Sequence, residues 1–142
     1  NKTAEIAGTE NNRPLPTGDE RILVVDDEAP IIQLEEALLK KLGYEVSSRT
    51  GSIDALEKFK QNPYAFDLVL TDMSMPNMTG EKLAREMIAV RPDIPVILCT
   101  GFSERLDEKK AEDIGVKDFL MKPIVNRDIA ETVRKVLDEA KI

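Results

Sequence analysis

Histidine is missing from this chain altogether, and cysteine occurs once. The absence of histidine removes imidazole zinc sites, Ser-His-Asp and Cys-His catalysis, and any phosphohistidine of the chain's own. The lone Cys99 excludes a disulfide framework within the chain; in the apolar run Ile94-Pro-Val-Ile-Leu-Cys it reads as a buried small hydrophobe. No apolar run approaches the ~20 residues needed to cross a bilayer. The stretch from Asn1 to Glu10 has no apolar core of the kind a secretion leader carries, so a cytoplasmic setting without membrane contact is expected. An excess of positive charge is lacking too. Lys and Arg total 20 against 27 Asp and Glu, a net charge of -7, and such an acidic field repels phosphate backbones, which argues against direct nucleic-acid binding.

What is present suits one globular domain. The 142 residues, 42% hydrophobic and 33% charged, suffice for one core and not for two ordinary ones. The first residue is Asn1, so a processed chain or a piece of a longer one is expected. Residues 1–20 are polar, hold Pro14, Pro16 and two glycines, and show no apolar periodicity; they read as a flexible linker or tail, with the domain over 21–142.

From Arg21 onward, short apolar runs alternate with helical patterns. Strands are expected over Ile22-Leu-Val-Val, Tyr44-Glu-Val-Ser-Ser (more polar, as suits a sheet edge), Phe66-Asp-Leu-Val-Leu-Thr-Asp, Pro95-Val-Ile-Leu-Cys-Thr and Lys117-Asp-Phe-Leu-Met-Lys. Helices are expected over Ala29–Leu42, with Ile31, Leu34, Leu38 and Leu42 inward and Gly43 as the stop; over Ser52–Gln61, with Ala55, Leu56 and Phe59 inward; and over Glu81–Val90. A fourth should run from Arg105 to Ile114, ended by Gly115, and a fifth should follow Asn126 as N-cap, with Ile129, Val133, Val136, Leu137 and Ala140 inward. Two strands are almost wholly apolar, as strands covered on both faces should be. The pattern is that of an α/β, doubly wound parallel sheet.

In such sheets ligands bind beyond the carboxyl ends of the strands. Those ends read Asp26-Asp27-Glu28, Thr71-Asp72, Thr100-Gly101 and Lys122-Pro123. Three carboxylates, a hydroxyl and an ammonium therefore converge on one edge. Carboxylates so placed raise one another's pKa values unless a cation neutralises them, and an all-oxygen ligand set selects a hard divalent ion such as Mg²⁺. An aspartate such as Asp72 can act as a nucleophile toward phosphorus, Lys122 can pair with a phosphoryl oxygen, and Thr100 can donate to another. Taken singly, each residue has a plainer reading: Asp26-Asp27 as a helix cap, Thr100 as a turn residue, Lys122 as a surface lysine.

Together the motifs are specific. The chain from Arg21 to Ile142 resembles the receiver domain family of two-component response regulators. The resemblance is carried by Val24-Val25-Asp26-Asp27-Glu28, Leu70-Thr71-Asp72-Met73-Ser74-Met75-Pro76, Gly80, Thr100-Gly101 and Phe119-Leu120-Met121-Lys122-Pro123. It implies a flavodoxin-like receiver fold of five strands in the order 2-1-3-4-5. It implies Asp72 as phospho-acceptor, and Asp26, Asp27 and Asp72 with the Ser74 backbone carbonyl as Mg²⁺ ligands. It also implies Lys122 as phosphoryl partner ahead of a cis bond to Pro123, and Thr100 with Phe119 as a switch pair. The implied partner is a histidine kinase or histidine phosphotransfer domain; the oligomeric state stays open. Residues 13–28 resemble the linkers that lead into the C-terminal receiver of hybrid sensor histidine kinases, with a free-standing single-domain regulator as the alternative.

Two further expectations concern the region after Thr100. The helix between Ser103 and Ile114 has a thin apolar stripe, so it either shifts at low cost or is a well-solvated surface helix that stays put. Phe102 is placed to screen an acyl phosphate from water, so slow self-hydrolysis is expected. An aspartyl-nucleophile phosphohydrolase needs a second Asp two residues after the nucleophile, where this chain has Ser74. A flavin or nucleotide domain is disfavoured by the Asp-Asp-Glu-Ala-Pro turn, which lacks phosphate-cradling glycines.

Overall fold

In the computed structural model of the chain, residues 13–101 and 113–141 are described. Five parallel strands form one sheet: β1 (Arg21–Val25), β2 (Glu45–Arg49), β3 (Leu68–Asp72), β4 (Val96–Thr100) and β5 (Asp118–Met121). Their order is β2-β1-β3-β4-β5, as the resemblance implied. The described helices are α1 (Ala29–Lys41), α2 (Ser52–Gln61), α3 (Gly80–Val90) and α4 (Asn126–Ala140), with a short 3₁₀ turn over Pro63–Ala65. Of the helix expected over 105–114, Asp113 and Ile114 are described and helical. Phe102 and the rest of that segment lie outside the described residues.

The alternation of side chains along each strand divides the core in two. Leu23, Val25, Val69, Val96 and Leu98 point to one face and meet Leu56 and Phe59 of α2 and Leu83 and Met87 of α3. Ile22, Val24, Leu68, Leu70, Ile97 and Cys99 point to the other, where α1 and α4 supply Ile32, Leu39, Ile129 and Val133. Cys99 is buried, as expected, and burial pushes its thiol pKa well up. β2 is the polar edge strand and pairs with β1 from Arg21↔Glu45 to Val25↔Arg49.

Two helices depart from the sequence reading. In α1 the inward stripe is Ile32, Glu35, Leu38 and Leu39, continued by Leu42 beyond its end, while Leu34 is 70% exposed. Both stripes have helical spacing, and the expected one, through Ile31 and Leu34, is rotated from the face that meets the sheet. The real stripe was hidden because it contains a glutamate. The last helix begins at Asn126, so Val125 rather than Asn126 is its N-cap, and Ala140 is exposed. For α2 both the boundaries and the inward residues agree with expectation.

Residues 14–20 lie against α1 and α4. Gly18 N–H donates to Leu42 O (3.1 Å), Arg134 donates to Thr17 O (3.0 Å), and Leu15 packs on the α1–α4 side of the core. Gly43, at φ 106°, ends α1 in the left-handed region, and a Cβ there would come within 2.4 Å of Gly18 O. Glu20 is buried and held by Arg134 (2.6 Å) and by Lys141, and the Arg134 contact brings its pKa down to about 2.

Candidate functional site

β1 and β3 both run apolar until their carboxyl ends, so each delivers its acid at one rim. The parallel pairing of Val25 with Thr71 puts the residues that follow, Asp26 and Asp72, side by side. One carboxylate oxygen from each of Asp26, Asp27 and Asp72 lies within 4.8 Å of the others. Asp26 and Asp72 are buried and Asp27 is exposed. Lys122, carried past the end of β5, places Nζ 2.6 Å from Asp72 Oδ1. Its loop is tied back by Lys122 N–H donating to Thr100 O (2.8 Å), and the Lys122–Pro123 bond is cis.

The electrostatics of this rim are unresolved by protein groups alone. Burial, with smaller contributions from Asp72 and Asp27, pushes the Asp26 carboxyl up to about 6, even though Glu28 N–H donates to its Oδ1 (2.9 Å). The pull of Lys122 on Asp26 does not offset this. A carboxylate held above its ordinary range in the company of two others is a donor set that a cation completes. All-oxygen ligands from three aspartates, with no sulfur or imidazole, fit a hard divalent ion such as Mg²⁺.

The loop after β3 is shaped for this rim. Ser74 is exposed two residues beyond Asp72, and Asn77 takes φ 71°, a left-handed turn position that Asn tolerates. Gly80 opens α3 against the backbone at the end of β3: its N–H donates to Met73 O (2.8 Å), and a Cβ would sit 2.1 Å from Asp72 O. Any side chain there would push α3 off the strand end that carries Asp72. Thr79 caps the same helix, accepting from Lys82 N–H (3.2 Å).

Of the expected switch pair, Phe119 packs partly buried against the α2–α3 side of the core. Thr100 is buried, and its hydroxyl donates to Met121 Sδ at 3.4 Å. The structure thus brings Asp26, Asp27, Asp72 and Lys122 together, and places Thr100 at the carboxyl end of β4 and Phe119 two residues before its register partner on β5, opposite Leu98.

Two residues of the region were missed by sequence reasoning. Glu35 of α1 is buried, and burial, reinforced by Asp26 and Asp72, lifts its carboxyl to about 7. It lines a groove of about 510 Å³ together with Ile31, Leu34, Leu38, Ile124 and Lys122. The available signal was the second helical stripe, 32-35-39. Met121 was passed over as a strand residue; its pairing with Thr100 follows only from the β4–β5 register.

Comparison with known proteins agrees with this fold. The family model "Response regulator receiver domain" matches residues 22–134. The chain is 31% identical over 122 residues to the Arabidopsis thaliana two-component response regulator ARR10, covering 86% of this chain and 22% of that protein. It is 36% identical over 116 residues to the Salmonella typhimurium transcriptional regulatory protein ZraR, covering 82% of this chain and 26% of that one. It therefore spans about a quarter or less of the length of either relative. Among solved structures, a response regulator receiver domain protein from Clostridium thermocellum superposes with a TM-score of 0.82 at 32% identity, covering 86% of this chain and 97% of that one. A CheY-like receiver domain protein from Methanospirillum hungatei superposes with a TM-score of 0.78 at 29% identity, over 87% and 98% of the two chains.

Proposed function

The chain belongs to the response regulator receiver domain family of two-component systems, and from that membership we propose that it accepts a phosphoryl group on Asp72 from a phosphohistidine. The observation that carries this reading is the juxtaposition of Asp26, Asp27 and Asp72 with Lys122 Nζ, 2.6 Å from the acceptor. Receiver domains interact with histidine kinases or phosphotransfer proteins, and they generally bind Mg²⁺ at an acidic site. Here Asp26, Asp27 and Asp72, with the backbone carbonyl of Ser74, would hold the ion. When bound, Mg²⁺ supplies the positive charge that lets an anionic carboxylate and an anionic phosphoryl group approach.

The chain's own groups do the rest. A carboxylate oxygen of Asp72 forms the new P–O bond while the donor's N–P bond breaks and its electron pair returns to the imidazole. Lys122, whose ammonium already lies beside Asp72, holds a phosphoryl oxygen. The Thr100 hydroxyl turns to a second oxygen, and Phe119 follows into the space it leaves. The donor histidine belongs to another surface, since this chain has none. The groove beside Lys122, with exposed Leu34 on its edge, suits an apolar helical face of the donor domain that brings its imidazole to Asp72.

We place the domain in a hybrid sensor histidine kinase of the cytoplasm, on the resemblance of residues 13–28 to the linkers of such kinases. The reading frame upstream of residue 1 tests this: a histidine kinase core supports it, a start codon just ahead overturns it, and the frame beyond residue 142 then tells a free-standing regulator from one with an effector.

Intact mass after incubation with Mg²⁺ and acetyl phosphate tests the acceptor. One added phosphoryl group that needs Mg²⁺ and is missing in Asp72→Asn is the expected result. An adduct that survives in Asp72→Asn, or none at all from acetyl phosphate or a phosphorylated histidine domain, overturns the reading.

A further inference from the structure

The Thr100 hydroxyl has an unusual partner. Thr100 and Met121 are in-register neighbours on β4 and β5, so their side chains leave the same face of the sheet. The threonine is buried at 1% exposure, while the methionine, at the open end of β5, is 42% exposed. The hydroxyl donates to the thioether sulfur at 3.4 Å, a weak bond to a weak acceptor. Phe119, two residues earlier on β5, shares that face. A methionine open to solvent therefore holds the hydroxyl that the proposed phosphoryl chemistry needs to move.

We propose that Met121 is an oxidation site that sets whether the domain can stabilise its phosphorylated form. This role rests on Asp72 being the phospho-acceptor. Hydrogen peroxide transfers one oxygen atom to the sulfur: the peroxide O–O bond breaks, an S=O bond forms, the thioether is oxidised, and the peroxide is reduced to water. The product is a polar sulfoxide in place of a soft apolar group. Its oxygen is a far better acceptor than a thioether sulfur, and it is delivered to the same hydroxyl. A Thr100 hydroxyl held there is withheld from the phosphoryl group. Chain geometry favours Met121 over the other methionines: Met75 and Met87 are buried, and Met73 and Met78 are only partly exposed.

The change is reversible, since sulfoxides are returned to methionine by methionine sulfoxide reductases. Exchanging a weak hydrogen bond for an ordinary one shifts an equilibrium by about three- to tenfold, so the ratio of phosphorylated to unphosphorylated chain should fall by that factor.

The test uses the full chain with Mg²⁺ and acetyl phosphate, before and after mild hydrogen peroxide, with peptide mass locating the sulfoxide and intact mass reading the phosphoryl group. Oxidation at Met121 with a phosphorylated-to-unphosphorylated ratio lower by about three- to tenfold, restored by the reductase, is the expected result. Met121→Leu should keep its own phosphorylated fraction through the same treatment. In Thr100→Ala, oxidation of Met121 should leave the residual phosphorylation unmoved, because the hydroxyl through which it acts is gone. A melting temperature unchanged by oxidation separates this effect from unfolding. The proposal fails if Met121 resists peroxide while other methionines oxidise, if oxidised wild type is phosphorylated as well as untreated protein, or if Met121→Leu loses phosphorylation equally. If untreated wild type accepts no phosphoryl group, it is the phospho-acceptor reading that fails instead.

Discussion

The two ends of the sheet carry opposite electrostatics. At the amino end the acids Glu20 and Asp67 are both answered. Glu20 is held at about 2 by Arg134, helped by Lys141. Asp67 ends below its ordinary value despite burial, because Arg21 donates to it from both backbone and side chain. At the carboxyl end burial prevails: Asp26 is raised to about 6 and Glu35 to about 7. The fold thus matches Glu20 and Asp67 with arginines at the amino end, while at the carboxyl end Lys122 meets Asp72 and Asp26 and Glu35 stay raised. Perturbed carboxyls gathered at one rim are the physical mark of a site, and satisfied ones at the other are the mark of scaffold.

The contrast can be broken from either end. The largest effect is expected for Lys122→Ala: phosphorylation from acetyl phosphate should slow by about two to three orders of magnitude, as when a charge-stabilising donor is removed from a reaction site. A rate close to that of wild type, followed by intact mass, would show that Lys122 merely packs beside Asp72.

Next in size is Arg134→Ala, which strips Glu20 of its main partner at the opposite end. It should destabilise the fold by about 2–3 kcal/mol in urea denaturation at neutral pH. Glu20's folded pKa is depressed, so its contribution is full above about 4.5 and is lost as pH falls toward 2. The mutant's deficit should shrink over that window; an equal deficit throughout would mean that packing of the arginine stem, not the ion pair, is what matters.

Glu35→Leu should do the reverse and stabilise. The folded pKa of Glu35 is raised from 4.5 to about 7, so its favourable contribution exists below pH 4.5 and is lost as pH rises through 7. At about pH 8 the substitution should therefore gain about 1–3 kcal/mol, falling to near zero at about pH 4.5. A gain that does not depend on pH would refute burial of the carboxylate as its cause. The smallest expected change is that of Leu34→Ser on folding, within about 0.5 kcal/mol, because the side chain is already 70% exposed. The same substitution should slow transfer from a phosphorylated histidine domain while sparing transfer from acetyl phosphate. Equal rates from the domain would leave the groove without a role in docking.

Much of this was legible in the chain. The apolar runs of β1, β3 and β4 announce strands covered on both faces, and the acids that end β1 and β3 follow without a break, so strand ends and site are read together. Gly80 was visible as part of a motif, but its reason, a helix start pressed on the Asp72 carbonyl, was not. The face of α1 was misread because two stripes share its surface and a search for hydrophobes discards the one holding Glu35.

By itself, the sequence determined the α/β alternation, the order of the elements and the identity of the acids at the strand ends, because strand and helix periods and short-range motifs are local properties. Only the tertiary structure decided which face of α1 is inside, that residues 14–20 lie against α1 and α4, and that Thr100 bonds to Met121. Those depend on register and on what packs opposite. Contact across strands or between helices is set by the whole assembly, and no window of sequence contains both partners.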